Sequence, residues 1–343
     1  MNQSGIQGKS DDGRGAHGVG HGDPLVSLIM PVWRPRPAWL AQAVESALGQ
    51  RGCRIELILV DDGCPEPVGD LLSWVRDDRL RIICIKHGGV SRARNAGIAA
   101  SRGSRLRFID CDDVIDTDST ARLLRLMGDD EDVIAYGATI LCDPALRPQG
   151  KIASRIEGPA AIACLLNQDF TVMLQAMLFS RHIVQAAGDW DPTMTVCEDW
   201  DFVLRALEHA RVRGEDRTAL YYRRHADAAT SNGNVFWQAG QGPLKVVSKY
   251  LERHAEARGT RLETRIHAML DVLIADRATG GRPWRSSRFW KAALFDPHAA
   301  LPRLRRHLHL VSRMKGLLMR TVRRAVPSPV RRWVLAQWRD GLR

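Results

Sequence analysis

Four short apolar runs alternate with three helical stretches between Leu25 and Asp110, and no other feature restricts the fold of this 343-residue chain as much. "LVSLIMPV", "IELILV", "LRIICI" and "RLRFID" have the length and the β-branched content of buried strands. "PAWLAQAVESALGQ" opens with Pro37, which suits a first helical position, and "VGDLLSWVRD" and "SRARNAGIAASRG" read as two more helices, the last ending at Gly103. The order βαβαβαβ predicts an α/β fold with a doubly wound, mostly parallel sheet and helices on both faces. Ligands of such sheets bind beyond the carboxyl ends of the strands.

Each strand is followed by a polar or glycine-rich segment: "PVWRP", "DDGCPEP", "KHGGVSR" and "DCDD". Four such segments at one sheet edge predict a nucleotide site. The usual phosphate loops are missing, since there is no Gly-Lys-Ser/Thr and "GVGHG" lies ahead of the first strand, not between a strand and a helix. Instead "FIDCDDVIDTD" concentrates five aspartates after an apolar strand, where like charges repel and desolvation is costly. On an extended segment Asp110 and Asp112 share a face. A hard divalent cation, Mg or Mn, would neutralise them and leave positions open for diphosphate oxygens. Taken alone, Asp-Cys-Asp is equally compatible with a solvated turn; the other three loops favour metal binding. Asp113 reads as an outer partner, and Asp116 and Asp118 as caps of the following "STARLLRLM" helix.

Composition narrows the class. Hydrophobic residues make up 45% and charged residues 26%, as in a globular protein. Residues 1–23, with seven glycines, read as a flexible leader without a signal-peptide core. No apolar run approaches the roughly 20 residues of a spanning helix. Seven dispersed cysteines, never in a Cys-x-x-Cys pair, argue against a disulfide framework and for a cytoplasmic setting. The net charge of +11 is uneven: from Gly281 onward sixteen Lys and Arg face two Asp, so the tail carries +14 and the preceding 280 residues −3. On a helix, Leu301, Leu304, Leu308, Val311, Leu318 and Val322 form one stripe, with most arginines elsewhere. Such a surface suits anionic lipid at the inner face of a membrane, while docking on the catalytic domain or on a partner helix is a close alternative.

The segments "VSLIMPVWRPRPAWLAQAVESALGQ", "ELILVDDG", "HGGVSRARNAGIAASRG", "RFIDCDDV", "CEDWDFVLRAL" and "YYRRH" occur in the order found in the inverting family-2 glycosyltransferases of the GT-A fold, which this chain resembles over roughly 200 residues. The resemblance implies transfer of a sugar from a nucleotide-diphosphate donor to an acceptor hydroxyl, in a glycan or lipid-linked acceptor, during cell-surface polysaccharide or glycoconjugate synthesis. It implies that Pro31 and Trp33 in the first loop and Asp61 after the second strand contact the base, with Arg94 and Asn95 beside the nucleotide. Asp110 and Asp112 become the Asp-x-Asp motif, His225 a further contact to metal or diphosphate, and Arg223 a neutraliser of the leaving group. The catalytic base falls on Asp199, with Glu198 as the alternative. Asp62 is expected to hold its loop. Arg34 stands where the family usually carries Asn, and the proline that commonly follows the metal motif is absent.

The bland readings are specific. Glu198 and Asp199 would also stabilise a helix N-terminus, and Asp201 and Arg205 would form a plain i,i+4 pair. Two other functions compete: a nucleic-acid-binding protein using the basic tail, and an inactive sugar-nucleotide-binding partner. The first is disfavoured because the motif-bearing loops are acidic and repel phosphate unless a metal intervenes. The expected organisation is a leader at 1–23, a catalytic GT-A domain at 24–232, and a mainly helical basic region at 233–343.

Overall fold

The computed structural model describes residues 24–152, 173–226, 241–278 and 285–295. Strands β1 (Leu25–Val32), β2 (Arg54–Asp61), β3 (Leu80–Cys84) and β4 (Arg105–Phe108) lie in the parallel order β3-β2-β1-β4. The predicted alternation is present, with helices α1 (Pro37–Leu48), α2 (Val68–Leu71) and α3 (Val90–Ala100) as crossovers. A second half joins β4 through β8 (Met177–Ser180), antiparallel, and continues through β6 (Val133–Cys142), β9 (Arg211–Arg223) and the short β5 (Val114–Ile115). β7 (Pro148–Ile152) pairs antiparallel with β6, so the nine-stranded sheet is mixed beyond β4.

Both faces of β1 are buried. Val26, Leu28 and Met30 pack with Leu40, Val44 and Ala47 of α1 and with Leu123 and Met127 of α4 (Ser119–Met127). Ile29 faces the other way, into a larger core shared with α5 (Arg181–Ala187) and α6 (Glu198–Leu207). Strands covered on both faces read as continuous apolar runs, which is why β1 and β2 were visible in the sequence. Helix α3 lies close to β1: a Cβ on Gly97 would meet Ile29 Cγ2 at 2.4 Å. The described C-terminal helices α7 (Gln241–Arg253), α8 (Arg261–Ala278) and α9 (Ser287–Phe295) place Val246, Tyr250, Ile266 and Phe289 in that larger core. The apolar stripe read between Leu301 and Val322 lies outside the described residues.

Two local expectations change. The helix read from Val68 to Asp77 is a single turn, because Gly69 weakens it and Ser73, Trp74 and Val75 are poor helix formers in a segment too short to nucleate well. Asp118 precedes α4 but makes no side-chain cap, while Asp116 holds Arg122 at 2.8 Å. The Asp201–Arg205 pair is present at 3.0 Å.

At the amino end of the parallel strands, buried Glu56 accepts from Ser27 Oγ at 2.7 Å, Arg102 N at 2.6 Å and Gly103 N at 3.2 Å. Burial pushes its carboxyl up, but the bonds from Ser27 and Arg102 outweigh that and hold it below the usual range. A lowered carboxyl stabilises the fold above the unfolded value and loses that contribution as pH falls through the folded one. Glu56→Ala should cost about 3 kcal/mol or more, since it orphans buried donors, and should flatten the acid limb of stability below about pH 4.5. Urea denaturation across pH checks both.

Candidate active site

The chain leaves β4 at Phe108 and turns at once. Residues 111 and 112 form a turn, closed by Asp113 N donating to Asp110 O at 3.3 Å. The extended geometry expected for Asp-Cys-Asp is therefore replaced by a tighter one, which brings carboxylate oxygens of Asp110, Asp112 and Asp113 within 4.8 Å of one another. Asp113, read as an outer partner, belongs to this cluster.

Each carboxylate is oriented by a different element. Asp110 Oδ1 lies 3.3 Å from Arg94 Nη2, and its Oδ2 accepts from Gln175 Nε2. Asp112 Oδ2 lies 2.9 Å from His225 Nε2. Asp113 Oδ1 accepts from Arg223 N at 2.8 Å, while its buried Oδ2 has no hydrogen-bond partner. Burial, then the Asp110 charge, raises the Asp112 carboxyl against the opposing pull of His225. Burial raises Asp113 well above the ordinary carboxylate range, with Asp112 and Asp110 adding to it. A packed all-oxygen donor set with an orphaned buried oxygen fits a hard divalent cation.

Seven of the ten residues singled out in the sequence line one cleft of about 380 Å³: Pro31, Trp33, Arg94, Asp110, Asp112, Glu198 and Asp199. The other three stand behind it. Buried Asp61 spends its two oxygens on the backbone N–H groups of Cys64, at 2.8 Å, and Val68, at 3.1 Å. Asn95 clasps the backbone of Trp190 from both ends of its amide, at 2.9 Å each. His225 backs onto Trp39, ring centres 4.7 Å apart, and meets the cleft residue Asp112. The Arg223 guanidinium donates to Asp112 O, Pro144 O and Gln42 Oε1, behind the turn.

Asp62 holds its loop as expected, accepting from Gly88 N at 2.8 Å and Gly89 N at 2.9 Å. It also fixes His87, whose ring stacks on Trp33 with centroids 3.8 Å apart. His87 and Gln175 are cleft residues that sequence reasoning missed. His87 lay in a loop already expected at the site, and Gln175 was visible only as a polar residue inside the apolar run "VMLQAMLF".

Opposite the aspartate turn, α6 begins with Glu198 and Asp199. Glu198 Oε1 is 3.1 Å from Arg94 Nη1. Asp199 opens to the cleft, and Trp200 N donates to its Oδ1 at 2.7 Å. Water reaches the Asp199 carboxylate, but the concave walls still strip much of its hydration. That desolvation, then the adjacent Glu198 charge, pushes it up to about 6 against the pull of Arg94. Two acidic groups, one clustered and one raised toward neutrality, thus face a common space.

The comparisons with known proteins accord with this geometry. Residues 27–187 match the glycosyl transferase family 2 profile, so this part of the chain is similar to the family-2 glycosyltransferases, and the fold is of the GT-A type. It is 30% identical over 222 residues to the uncharacterized glycosyltransferase EpsJ of Bacillus subtilis, an alignment covering 60% of this chain and 63% of EpsJ. Over 121 residues it is 35% identical to the succinoglycan biosynthesis protein ExoO of Rhizobium meliloti, covering 35% of this chain and 33% of ExoO. The chain thus spans less than two thirds of the length of these curated relatives. The fold is similar to that of S. aureus TarS 1-349 in complex with UDP-GlcNAc, with a TM-score of 0.52, 12% identity, and 80% of this chain and 89% of TarS covered.

The aspartate cluster yields a direct test. Carboxyls raised above their unfolded values oppose folding at neutral pH and cease to do so once protonated. Mn or Mg should therefore raise the melting temperature at pH 7.5, less at pH 5, and not in Asp112→Asn. A thermal-shift titration with each cation, without nucleotide, checks this.

Proposed function

We propose that this chain transfers a sugar from a nucleotide-diphosphate donor to an acceptor hydroxyl, with inversion at the anomeric carbon and dependence on a divalent cation. Asp110 and Asp112 would hold the cation, with His225 beside them. Asp199 is the general base. The observation that carries this reading is the contrast between neighbours: Glu198 is tied to buried Arg94, whereas Asp199 opens to the cleft with its carboxyl raised to about 6. A base is most effective when its pKa lies near the working pH.

When bound, a divalent cation supplies positive charge against the diphosphate leaving group. Asp199 takes the proton of the acceptor hydroxyl as that oxygen attacks. Arg94 orients Asp110 on one side and Glu198 on the other, and the Trp33–His87 stack offers an aromatic platform to the base, with Pro31 beside it. Asp61 and Asn95 act on the nucleotide through the loop and backbone they hold. The name of the TarS complex supports a UDP-sugar donor and that of ExoO a role in polysaccharide synthesis, and the acceptor proposed is a glycan or lipid-linked one.

A panel of UDP-, GDP- and dTDP-sugars, UDP-GlcNAc first, with Mn or Mg tests this reading by nucleoside diphosphate release. Asp199→Asn should keep nucleotide binding and lose about 10²–10⁴-fold in rate. The wild-type rate should rise through about pH 6, where Asp199 becomes the charged acceptor, and Glu198→Gln should move that limb lower by removing a like charge. Full activity in Asp199→Asn with loss in Glu198→Gln would place the base one residue earlier. Binding without turnover of any donor would favour an inactive partner.

Among the described residues no helix is long and apolar enough to cross a membrane. The basic tail is proposed to hold the enzyme on anionic lipid at the cytoplasmic face, with nucleic acid disfavoured as its ligand. Because Phe289 is buried in the main core, the informative cut falls after Phe295 and not after Gly280. That truncation should leave donor hydrolysis intact and abolish sedimentation with phosphatidylglycerol vesicles. Salt should weaken binding of the full chain, since exposed charges are screened beyond about 8 Å at physiological ionic strength. Retention of DNA and not of vesicles would reverse the assignment.

A further inference from the structure

The segment from Asp191 to Cys197 that delivers Glu198 and Asp199 has no strand or helix of its own. It ends at Cys197 in the left-handed region, φ 58°, a conformation that a non-glycine residue keeps only when its surroundings impose it. Those surroundings include α7, which lies beyond the matched residues 27–187.

Three successive turns of α7 touch this segment. A Cβ on Gly242 would meet Val196 Cγ2 at 2.8 Å and Cys197 Sγ at 3.0 Å, so only glycine lets the helix approach this closely. Lys245 Nζ donates to Thr193 O at 3.1 Å and to Thr193 Oγ1 at 2.9 Å. Lys249 Nζ donates to Asp191 Oδ2 at 2.9 Å and to Asp201 Oδ2 at 3.0 Å. Positions 242, 245 and 249 share one helical face by their three- and four-residue spacing. Asp191 lies within the irregular stretch between α5 and α6, and Asp201, which is 1% exposed, lies in the first turn of α6. A single ammonium therefore clamps both ends of the stretch that contains Asp199.

We infer that this face of α7 is a positioning device for the general base, with Lys249 as the positioning residue. The inference rests on the assignment of Asp199 as that base. Lys249 touches no cleft residue; it acts by fixing the start of α6, so it governs where the Asp199 carboxylate sits and not how the nucleotide binds. Misplacing a reacting group by about 1 Å costs on the order of 10²-fold in rate, so a clamp of this kind has a kinetic signature.

The test compares Lys249→Met, Lys249→Arg and the milder Lys245→Ala in the full chain. The probes are the sugar nucleotide turned over in the panel and its nucleoside diphosphate with Mn. Lys249→Met should lower kcat roughly 10-fold or more with donor KM within about twofold, and Lys249→Arg should recover most of it. Lys245→Ala should show a smaller loss of the same kind, which keeps the test decisive if Lys249→Met folds poorly. In an Asp199→Asn background, Lys249→Met should have no further effect, because it acts through the missing carboxylate. Independently of any donor, hydrogen exchange should quicken at residues 191–201 in both lysine variants and stay unchanged in β1 to β4. Unchanged kcat and exchange, a loss shared equally by nucleotide affinity, or an additive effect on Asp199→Asn would overturn the inference. Failure of the base assignment would appear separately, as full activity in Asp199→Asn itself.

Discussion

The guanidinium of Arg94 is the charge around which the cleft is arranged. The carboxylates of Asp110, Asp112, Glu198 and Asp199 line one small space, and their mutual repulsion would push the walls apart or force protonation. Arg94 is 3% exposed and reaches one member of each group, Asp110 at 3.3 Å and Glu198 at 3.1 Å. A planar fork with several donors can serve two acceptors at once, as a lysine cannot with the same rigidity. Its other support is aromatic: the guanidinium lies 4.4 Å from the ring of Trp190, which itself stacks on Phe202 of α6 at 4.1 Å. Close approach of α3 to β1 at Gly97 fixes the helix from which Arg94 projects. One buried cation thus couples the turn after β4 to the start of α6.

The aspartate turn is also held from behind, by two arginines whose acceptors are mostly neutral. Arg107, fully buried, donates to Gln175 O at 3.0 Å, to the hydroxyls of Ser119 and Thr120, and to Ala219 O; burial pushes it down to about 9, so it stays cationic at neutral pH. Holding the Gln175 backbone lets that side chain meet Asp110. Arg223 does the same for the Asp112 carbonyl at 2.8 Å. These contacts join β4 of the parallel half to β9 and the segment before β8 in the mixed half. The acidic turn is therefore set by both halves of the sheet.

This division explains what could be read from the chain alone. The parallel half was legible because its strands read as short apolar runs that end in polar loops, and Pro31, Trp33, Arg94, Asp110 and Asp112 share the cleft for that reason. The mixed half was not. β9 begins "RVRGEDR" and is exposed there, β7 is exposed apart from its last residue, and β6 pairs with strands far away in sequence. Such pairings leave no periodic signature. The roles of Asp61, Asn95 and Arg223 were hidden similarly: a motif shows that a polar residue matters, but not whether it faces the ligand or the backbone behind it. Gln175 and Asp113 show the converse, since burial beside a charge is a tertiary fact.

The adjacent acids at the start of α6 show how geometry separates what sequence leaves equivalent. Successive helical residues point about 100° apart, so neighbouring side chains cannot make the same contact. One of the pair must turn toward Arg94 and the other away, and the Trp190–Phe202 stack fixes which by setting the rotation of α6 about its axis. Glu198, the longer, spans the distance to the guanidinium and spends its charge there. Asp199 is left in the cleft, reached by water but partly desolvated and under its neighbour's field, and both effects favour its protonated form. The Glu198 charge beside it thereby helps make Asp199 a carboxylate that can exchange a proton near neutral pH.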